Sequence, residues 1–136
     1  ATIIWKNAAV LVNAVDLSND VKSLTMNEGA ETGDDTAMGD DTRSAMAGLK
    51  TWSVEVEFHQ DFAGSQVDAT LRGLVGAAAF AILVKPDNAA ASATNPHRSG
   101  NVILTSYVPM SGAVGTTPAS ARATFAAAGS LTYVVA

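Results

Sequence analysis

The sequence predicts a mainly β fold, an antiparallel β-sandwich or barrel of about seven strands with one short flanking α-helix at about residues 66–75. Three observations support this fold class. Residues 51–59 alternate strictly between apolar and polar side chains, short apolar runs recur between turn-forming residues, and only one segment has the apolar spacing of a helix. A length of 136 residues predicts a single domain over 1–136.

The first half of the chain predicts three strands. Strands over 8–15 and 21–28 are separated by residues 16–20, whose Asp, Ser and Asn side chains favour turns. The main strand follows at 51–59, and a period of two places alternate residues on opposite faces. The candidate core face consists of Trp52, Val54, Val56 and Phe58. The other face is polar, so one side of the sheet is expected to face water.

The helix is predicted after the main strand. Ser65 is a candidate N-cap with Asp68 three residues later, and Gly76 stands at the position of a C-terminal cap. The apolar stripe between them consists of Val67, Leu71, Leu74 and Val75. The uncharged run 73–84 is shorter than the roughly 20 residues of a membrane span, so we divide it at Gly76 and predict a buried strand over 77–85 and no membrane partner.

The last part of the chain predicts a loop and three strands. Residues 86–100 form a polar, alanine-rich segment that we expect to be a mobile loop, with His97 as an exposed turn histidine. Strands are predicted over 101–108, 119–126 and 131–135, the last two joined by a glycine-containing hairpin connection.

Composition excludes several classes of protein. The net charge of −5 and a pI near 4.7 argue against a protein that grips nucleic acid by neutralising phosphates. No cysteine is present, so neither disulfides nor thiolate metal sites are available. The N-terminal residues lack the features of a signal peptide, which favours cytoplasmic synthesis. Alanine occurs 26 times, which fits either a subunit stabilised by assembly or a compositional bias of the genome.

Residues for catalysis are scarce. His59 lies near Glu55 and Glu57 on the polar strand face, where a metal or acid-base site is conceivable, but a solvated face explains the same pattern better. The metalloprotease, phosphate-loop and serine-hydrolase motifs are missing from the sequence. We therefore expect no catalytic residues, no cofactor and no bound metal.

The segment 28–41 is an acidic loop that allows three interpretations. Its acidic residues are Glu28, Glu31, Asp34, Asp35, Asp40 and Asp41. Carboxylates suit calcium, but their spacing does not match an EF-hand loop. The segment is otherwise a solvated loop or, as we favour, a charged docking surface for another subunit. Complementary charge would then come from Arg43, or from Lys22, Lys50 or Arg98 of a neighbour.

The order of short motifs carries a family resemblance. These motifs are Asp16-Leu17-Ser18, the acidic loop running into Met38-Gly39-Asp40 and Arg43, Gly48-Leu49-Lys50, the alternating strand 52–58, and a helix with Asp68, Leu71 and Leu74. In this order they cover most of the chain, which resembles the tail tube (major tail) proteins of long-tailed phages.

The resemblance implies a virion structural protein, located in the tail after synthesis in the host cytoplasm. Six copies would form a ring, stacked rings would form the tail tube, and phage DNA would pass without specific binding. The implied partners are other copies of the chain and other tail proteins. Candidate inter-subunit or inter-ring contacts are Glu31, Asp34, Asp35, Asp40, Asp41 and Arg43.

Two alternative functions remain open at this point. One is another phage or contractile-system subunit, such as a capsid decoration protein or an inner tube. The other is a free-standing carbohydrate-binding β-sandwich, in which Trp5, Trp52 or Tyr107 would form an exposed aromatic platform.

Overall fold

The computed structural model of the chain describes residues 8–115 and 118–135. Its elements, in chain order, are β1 (Ala9–Val12), β2 (Val15–Asp16), a 3-10 turn (Ser18–Asp20), β3 (Val21–Asp34), β4 (Ala45–His59), α1 (Val67–Leu71), β5 (Phe80–Lys85), β6 (His97–Ser111), β7 (Ser120–Ala127) and β8 (Thr132–Val134). The predicted fold class, mainly β with one short helix, is confirmed.

All the strands belong to one antiparallel sheet in the order β2-β1-β5-β6-β7-β4-β3. β8 lies off this path and pairs with the first residues of β6. Buried side chains of β1, β4, β5, β6 and β7 belong to one hydrophobic core. Phe80 on β5, for example, packs edge-on against Phe125 on β7, with ring centroids 5.9 Å apart.

The candidate core face of the main strand lies in this core: Trp52, Val54, Val56 and Phe58 are all buried. Helix α1 closes one side of the core with Val67 and Leu71, which are fully buried. Burial of large apolar side chains is the main source of stability in such a domain, at about 25 cal/mol per Å² removed from water.

The helix is shorter than the predicted 66–75. It begins at Val67 after Gln66, which makes no side-chain capping hydrogen bond, so the predicted Ser65 cap is wrong. Ser65 itself has a positive φ of 60°, outside the extended conformation typical of a capping residue. The helix ends at Leu71 with Arg72 at its C-cap, so the predicted Gly76 cap is wrong. The chain continues as turns to Gly76, whose positive φ of 75° lies in the segment before β5.

Several strand predictions differ from the structure. The single strand predicted over 8–15 is instead a tight hairpin of β1 and β2, with Asn13 and Ala14 at positive φ in a two-residue turn. β5 begins at Phe80 rather than Ala77. β3 and β4 are much longer than predicted, because residues 29–34 and 45–50 pair with each other without an alternating apolar pattern.

The predicted loop 86–100 contains an ordered hydrogen-bond network, and its last four residues belong to β6. The Asn95 amide nitrogen donates to the backbone oxygens of Asp87, Ala89 and Ala90, while its side-chain oxygen accepts from the Asp87 N–H. His97 is buried beside Asn95, so the expected exposed turn histidine is wrong. The mobility of the loop stays a prediction for residues 86–96.

Candidate assembly surfaces

A two-stranded arm projects from the sheet. β4 pairs with β7 only from Ser53 to His59, whereas its pairing with β3 continues to Asp34 and Ala45. We call residues 28–51 the arm. Eight residues of β4, from Ala45 to Trp52, lie beyond the last β7 pair, which corresponds to roughly 25 Å of extended strand. Side chains on both faces of the arm are exposed. The predicted acidic loop 28–41 is therefore a strand up to Asp34 and a loop only beyond it.

The tip of the arm is a turn stabilised by its own side chains. The Asp40 N–H donates to the Ala37 oxygen, and the Ala37 N–H donates to the Asp40 carboxylate at 2.7 Å. Gly39 has a φ of +100°, the conformation that the third position of a type II turn requires. Met38, at the second position of this turn, is fully exposed.

Two of the predicted contact residues hold the arm loop together. The Asp34 carboxylate accepts hydrogen bonds from the Thr36 N–H at 2.9 Å and from Arg43 at 3.1 Å. The hydrogen bonds from Thr36 lower the pKa of Asp34 below its usual range. Thr36 also hydrogen-bonds to both backbone groups of Ser44, which closes the loop across its base. Asp34 and Arg43 thus have a role within the subunit.

The remaining predicted contact residues on the arm point to solvent. Glu31, Asp35 and Asp41 are exposed, and within the described chain no side-chain hydrogen bond or ion pair involves them. The arm carries six acidic and two basic side chains, a net charge of −4 out of −5 for the whole chain. The acidic character predicted from the sequence is therefore concentrated on this one projection.

Most of the expected basic counterparts are already paired within the subunit. Lys22 lies 3.6 Å from Glu57, and Arg98 lies 3.3 Å from Glu28 and stacks over the Tyr133 ring. Lys50 on the arm makes no ion pair within the described residues. A neighbour's arm would have to break existing pairs to use Lys22 or Arg98.

The polar face of the sheet has balanced charge. Arg122 on β7 lies 3.7 Å from both Glu55 and Glu57 on β4, and Lys22 pairs with Glu57 from the other side. Elsewhere the face carries Ser and Thr from β3, β4, β6 and β7. The role of Arg122 was missed in the sequence, although its place in the alternation of 120–127 is a signal for this face.

Within residues 8–115 and 118–135, two long strand edges are largely unpaired, that of β3 and that of the second half of β6. In the described part of the chain, β3 pairs only with β4 over its whole length. The strands β6-β7-β4-β3 form one sector of the sheet, and β6 lies at its other side. Residues 103–111 of β6 pair with β7 and leave their second edge open, apart from one bridge between Leu104 and Val75. Long unpaired edges are templates for pairing with another chain.

The aromatic platform of the carbohydrate alternative is not assembled. Trp52 is buried, and its indole N–H donates to the Gly129 oxygen at 2.9 Å. The Tyr107 hydroxyl donates to Asp68 at 2.8 Å, and burial raises its pKa. Trp5 lies outside the described residues.

His59 is exposed at the end of β4. Over 8–115 and 118–135, no group of three or more His, Cys, Asp or Glu side chains has the geometry of a metal site. Within those same ranges, no helix is long and apolar enough to cross a membrane.

Comparison with solved structures establishes the fold. A chain of the virion of a native gene transfer agent particle matches with a TM-score of 0.76 and 17% identity, covering 98% of this chain and 99% of that one. A chain of the tail of an empty gene transfer agent particle, refined with C6 symmetry, matches with a TM-score of 0.68 and 21% identity over 85% and 82% of the two chains. This chain shares their fold.

A third match extends the same fold to an injection system. A chain of the sheath-tube complex of an extracellular contractile injection system, in its extended state, matches with a TM-score of 0.73 and 13% identity over 99% and 93% of the two chains. No family model and no curated protein sequence matches this chain. The likeness therefore lies in three-dimensional structure over nearly the full length.

Proposed function

We propose that this chain is a non-enzymatic virion structural protein whose copies form rings that stack into a tail tube for the passage of DNA. The observation that carries the proposal is the near full-length fold match to components of tails and of a sheath-tube complex. The C6 symmetry of one of these tails supports rings of six copies.

The two open edges support ring formation by head-to-tail pairing. The sector between them has the strand order β6-β7-β4-β3 with antiparallel neighbours throughout. Since β6 and β3 therefore run in opposite directions, β6 of one copy would lie antiparallel to β3 of the next. A contact between two different surfaces of the subunit produces a ring when repeating the rotation between neighbouring copies leads back to the first copy. Such a ring would also cover both aggregation-prone edges.

We propose that the polar face of this sector lines the channel. Its Glu55, Glu57, Arg122 and Lys22 side chains balance one another, and hydroxyl groups occupy much of the rest. A surface without net positive charge gives a polyanion no counterion-release gain on binding, so DNA would pass without being retained. The excess negative charge would lie on the arms, which we propose contact the next ring.

Electron microscopy of the purified chain, alone and mixed with other tail components, tests the proposed function. The expected result is rings or tubes with a central channel. A chain that stays monomeric under all these conditions and never joins a tail would overturn the proposal.

The exposed and the internally bonded acidic residues of the arm give a matched pair of variants. We expect Asp35→Asn with Asp41→Asn to change tube length or ring stacking while leaving the unfolding temperature unchanged. Asp34→Asn with Asp40→Asn is the control variant, because it replaces two carboxylates that are hydrogen-bonded within the arm loop. It shows what a change in the structure of the loop does to assembly. Normal tubes from the Asp35/Asp41 variant would exclude these carboxylates as ring contacts.

A second candidate is the inner tube of a contractile system, which the match to a sheath-tube complex favours. Such a tube would assemble with a sheath protein, as in that sheath-tube complex. Co-assembly with a sheath protein, seen as a second outer layer in electron micrographs, would distinguish this function from that of a non-contractile tail.

A further inference from the structure

An apolar groove lies at the end of the subunit opposite the arm. Its most exposed apolar side chains are Phe62 and Met110, which are 59% and 74% accessible to solvent, together with Val114. Gln60 and Pro109 also line this open groove of about 500 Å³. Adjacent exposed apolar side chains in one concave surface are typical of a protein contact, unlike single ones scattered over a surface.

The topology places the arm tip and the groove at opposite poles of the same long strands. β4 begins at Ala45 next to the arm loop and ends at His59, directly before Gln60 and Phe62. β6 ends at Ser111 beside the same pole, where it pairs with Ser120. Fourteen residue steps of extended β4 correspond to roughly 45 Å, so an arm tip cannot reach the groove of its own subunit.

The arm tip presents one apolar side chain that is fully exposed. Met38 stands at the corner of the turn that the Asp40 hydrogen bonds hold in shape, so its position relative to the arm is set. A methionine side chain is unbranched and adaptable, which suits insertion between Phe62 and Met110. The subunit thus carries the two halves of a head-to-tail contact, one at each pole.

From these observations we infer that Met38 at the arm tip of one copy inserts into the groove formed by Gln60, Phe62, Pro109 and Met110 of a second copy in the adjacent ring. This inference rests on the proposed function and names the surface that receives the arm. Charge does not supply the attraction, since the arm is strongly acidic and Asp61 adjoins the groove.

Disulfide cross-linking tests the contact directly, because the chain has no cysteine of its own. Assembled tubes of a variant with Met38→Cys and Met110→Cys are oxidised and run on a denaturing gel without reductant. The expected result is a ladder of covalent dimers, trimers and longer chains that collapses when reductant is added. Each link must join two copies, since the two positions lie at opposite poles of one subunit.

A matched pair gives the control for cross-linking. Met38→Cys with Ile103→Cys keeps the arm cysteine but places the second one on exposed Ile103 in the middle of the sheet. We expect no ladder from this variant. Tubes that form normally but give no ladder with Met38→Cys and Met110→Cys would overturn the groove contact and leave the proposed function standing. A wild-type chain that forms no rings at all would overturn the proposed function instead.

The effect of salt provides an independent test. An apolar contact should persist at about 1 M NaCl, where the Debye length is only about 3 Å, whereas docking through charge should be lost. Met38→Glu is expected to leave separate rings without tubes, and Met38→Leu to retain tubes. Tubes that dissociate in high salt, or that tolerate Met38→Glu, would contradict an apolar contact at the arm tip.

Discussion

The two halves of the β3–β4 hairpin have the same antiparallel pairing but opposite environments. In the sheet, β4 lies between β7 and β3 and buries alternate side chains in the core. In the arm, the same two strands are exposed on both faces, and the loop at their tip depends on local hydrogen bonds. The half in the sheet stabilises the subunit, whereas the residues of the arm are available for assembly.

The largest contrast is expected from removing one large side chain in each half. Phe58→Ala deletes a fully buried ring and should lower the free energy of unfolding by about 3–5 kcal/mol, because it leaves a cavity. Leu49→Ala on the arm removes a side chain that is 76% exposed. It should change the free energy of unfolding by no more than about 0.5 kcal/mol. Urea denaturation of both variants measures the difference. Equal losses would show that the arm contributes to the stability of the subunit as the sheet does.

A smaller effect is expected at the junction between the sheet and the arm. A Cβ added at Gly100 would lie 2.7 Å from Cζ2 of Trp52 and 3.0 Å from the Ser130 oxygen. Gly100→Ala should therefore displace Trp52 and cost about 1–3 kcal/mol in unfolding free energy. Gly73→Ala, where no atom lies within 4 Å of the added Cβ, is the control and should be nearly neutral. Equal unfolding temperatures for the Gly100→Ala and Gly73→Ala variants would contradict close packing at Gly100.

The smallest expected effects are opposite pH dependences of the unfolding temperature that arise from Asp20 and Asp34. Burial, aided by the charge of Asp61, raises the pKa of Asp20, so its charged form disfavours the folded state above about pH 4. Asp20→Asn should raise the unfolding temperature slightly at pH 7, and this gain should disappear in acid. The lowered pKa of Asp34 has the reverse consequence: its stabilisation is present above the usual carboxyl range and is lost as the pH falls through the folded-state value.

Unfolding temperatures measured from pH 2.5 to 7 check this pair. Asp34→Asn should lower the unfolding temperature at pH 7 and have less effect in acid. Shifts of the same sign for the two variants at neutral pH would contradict the environments that the structure assigns to Asp20 and Asp34.

The sequence predicted the elements that depend on burial and missed those that do not. Strand 51–59 was predictable because Val54, Val56 and Phe58 alternate with polar residues, and one buried face requires that pattern. The arm strands 29–34 and 45–50 have no buried face, so nothing in their composition distinguishes them from a loop. The helix was placed correctly from Val67 and Leu71, but its end depends on turns that local spacing does not determine.

The candidate contacts were predictable only as a charged segment. The sequence by itself determined that residues 28–41 are acidic and that the sheet has one polar face, because charge and alternation are properties of the local sequence. Only the tertiary structure decided that Asp34 and Arg43 pair with each other, and that Arg122 on β7 pairs with Glu55 and Glu57 on β4. Only it places Phe62 beside Met110 at the pole opposite Met38. The relations of Arg122 and of Phe62 join distant parts of the chain, which strand pairing brings together.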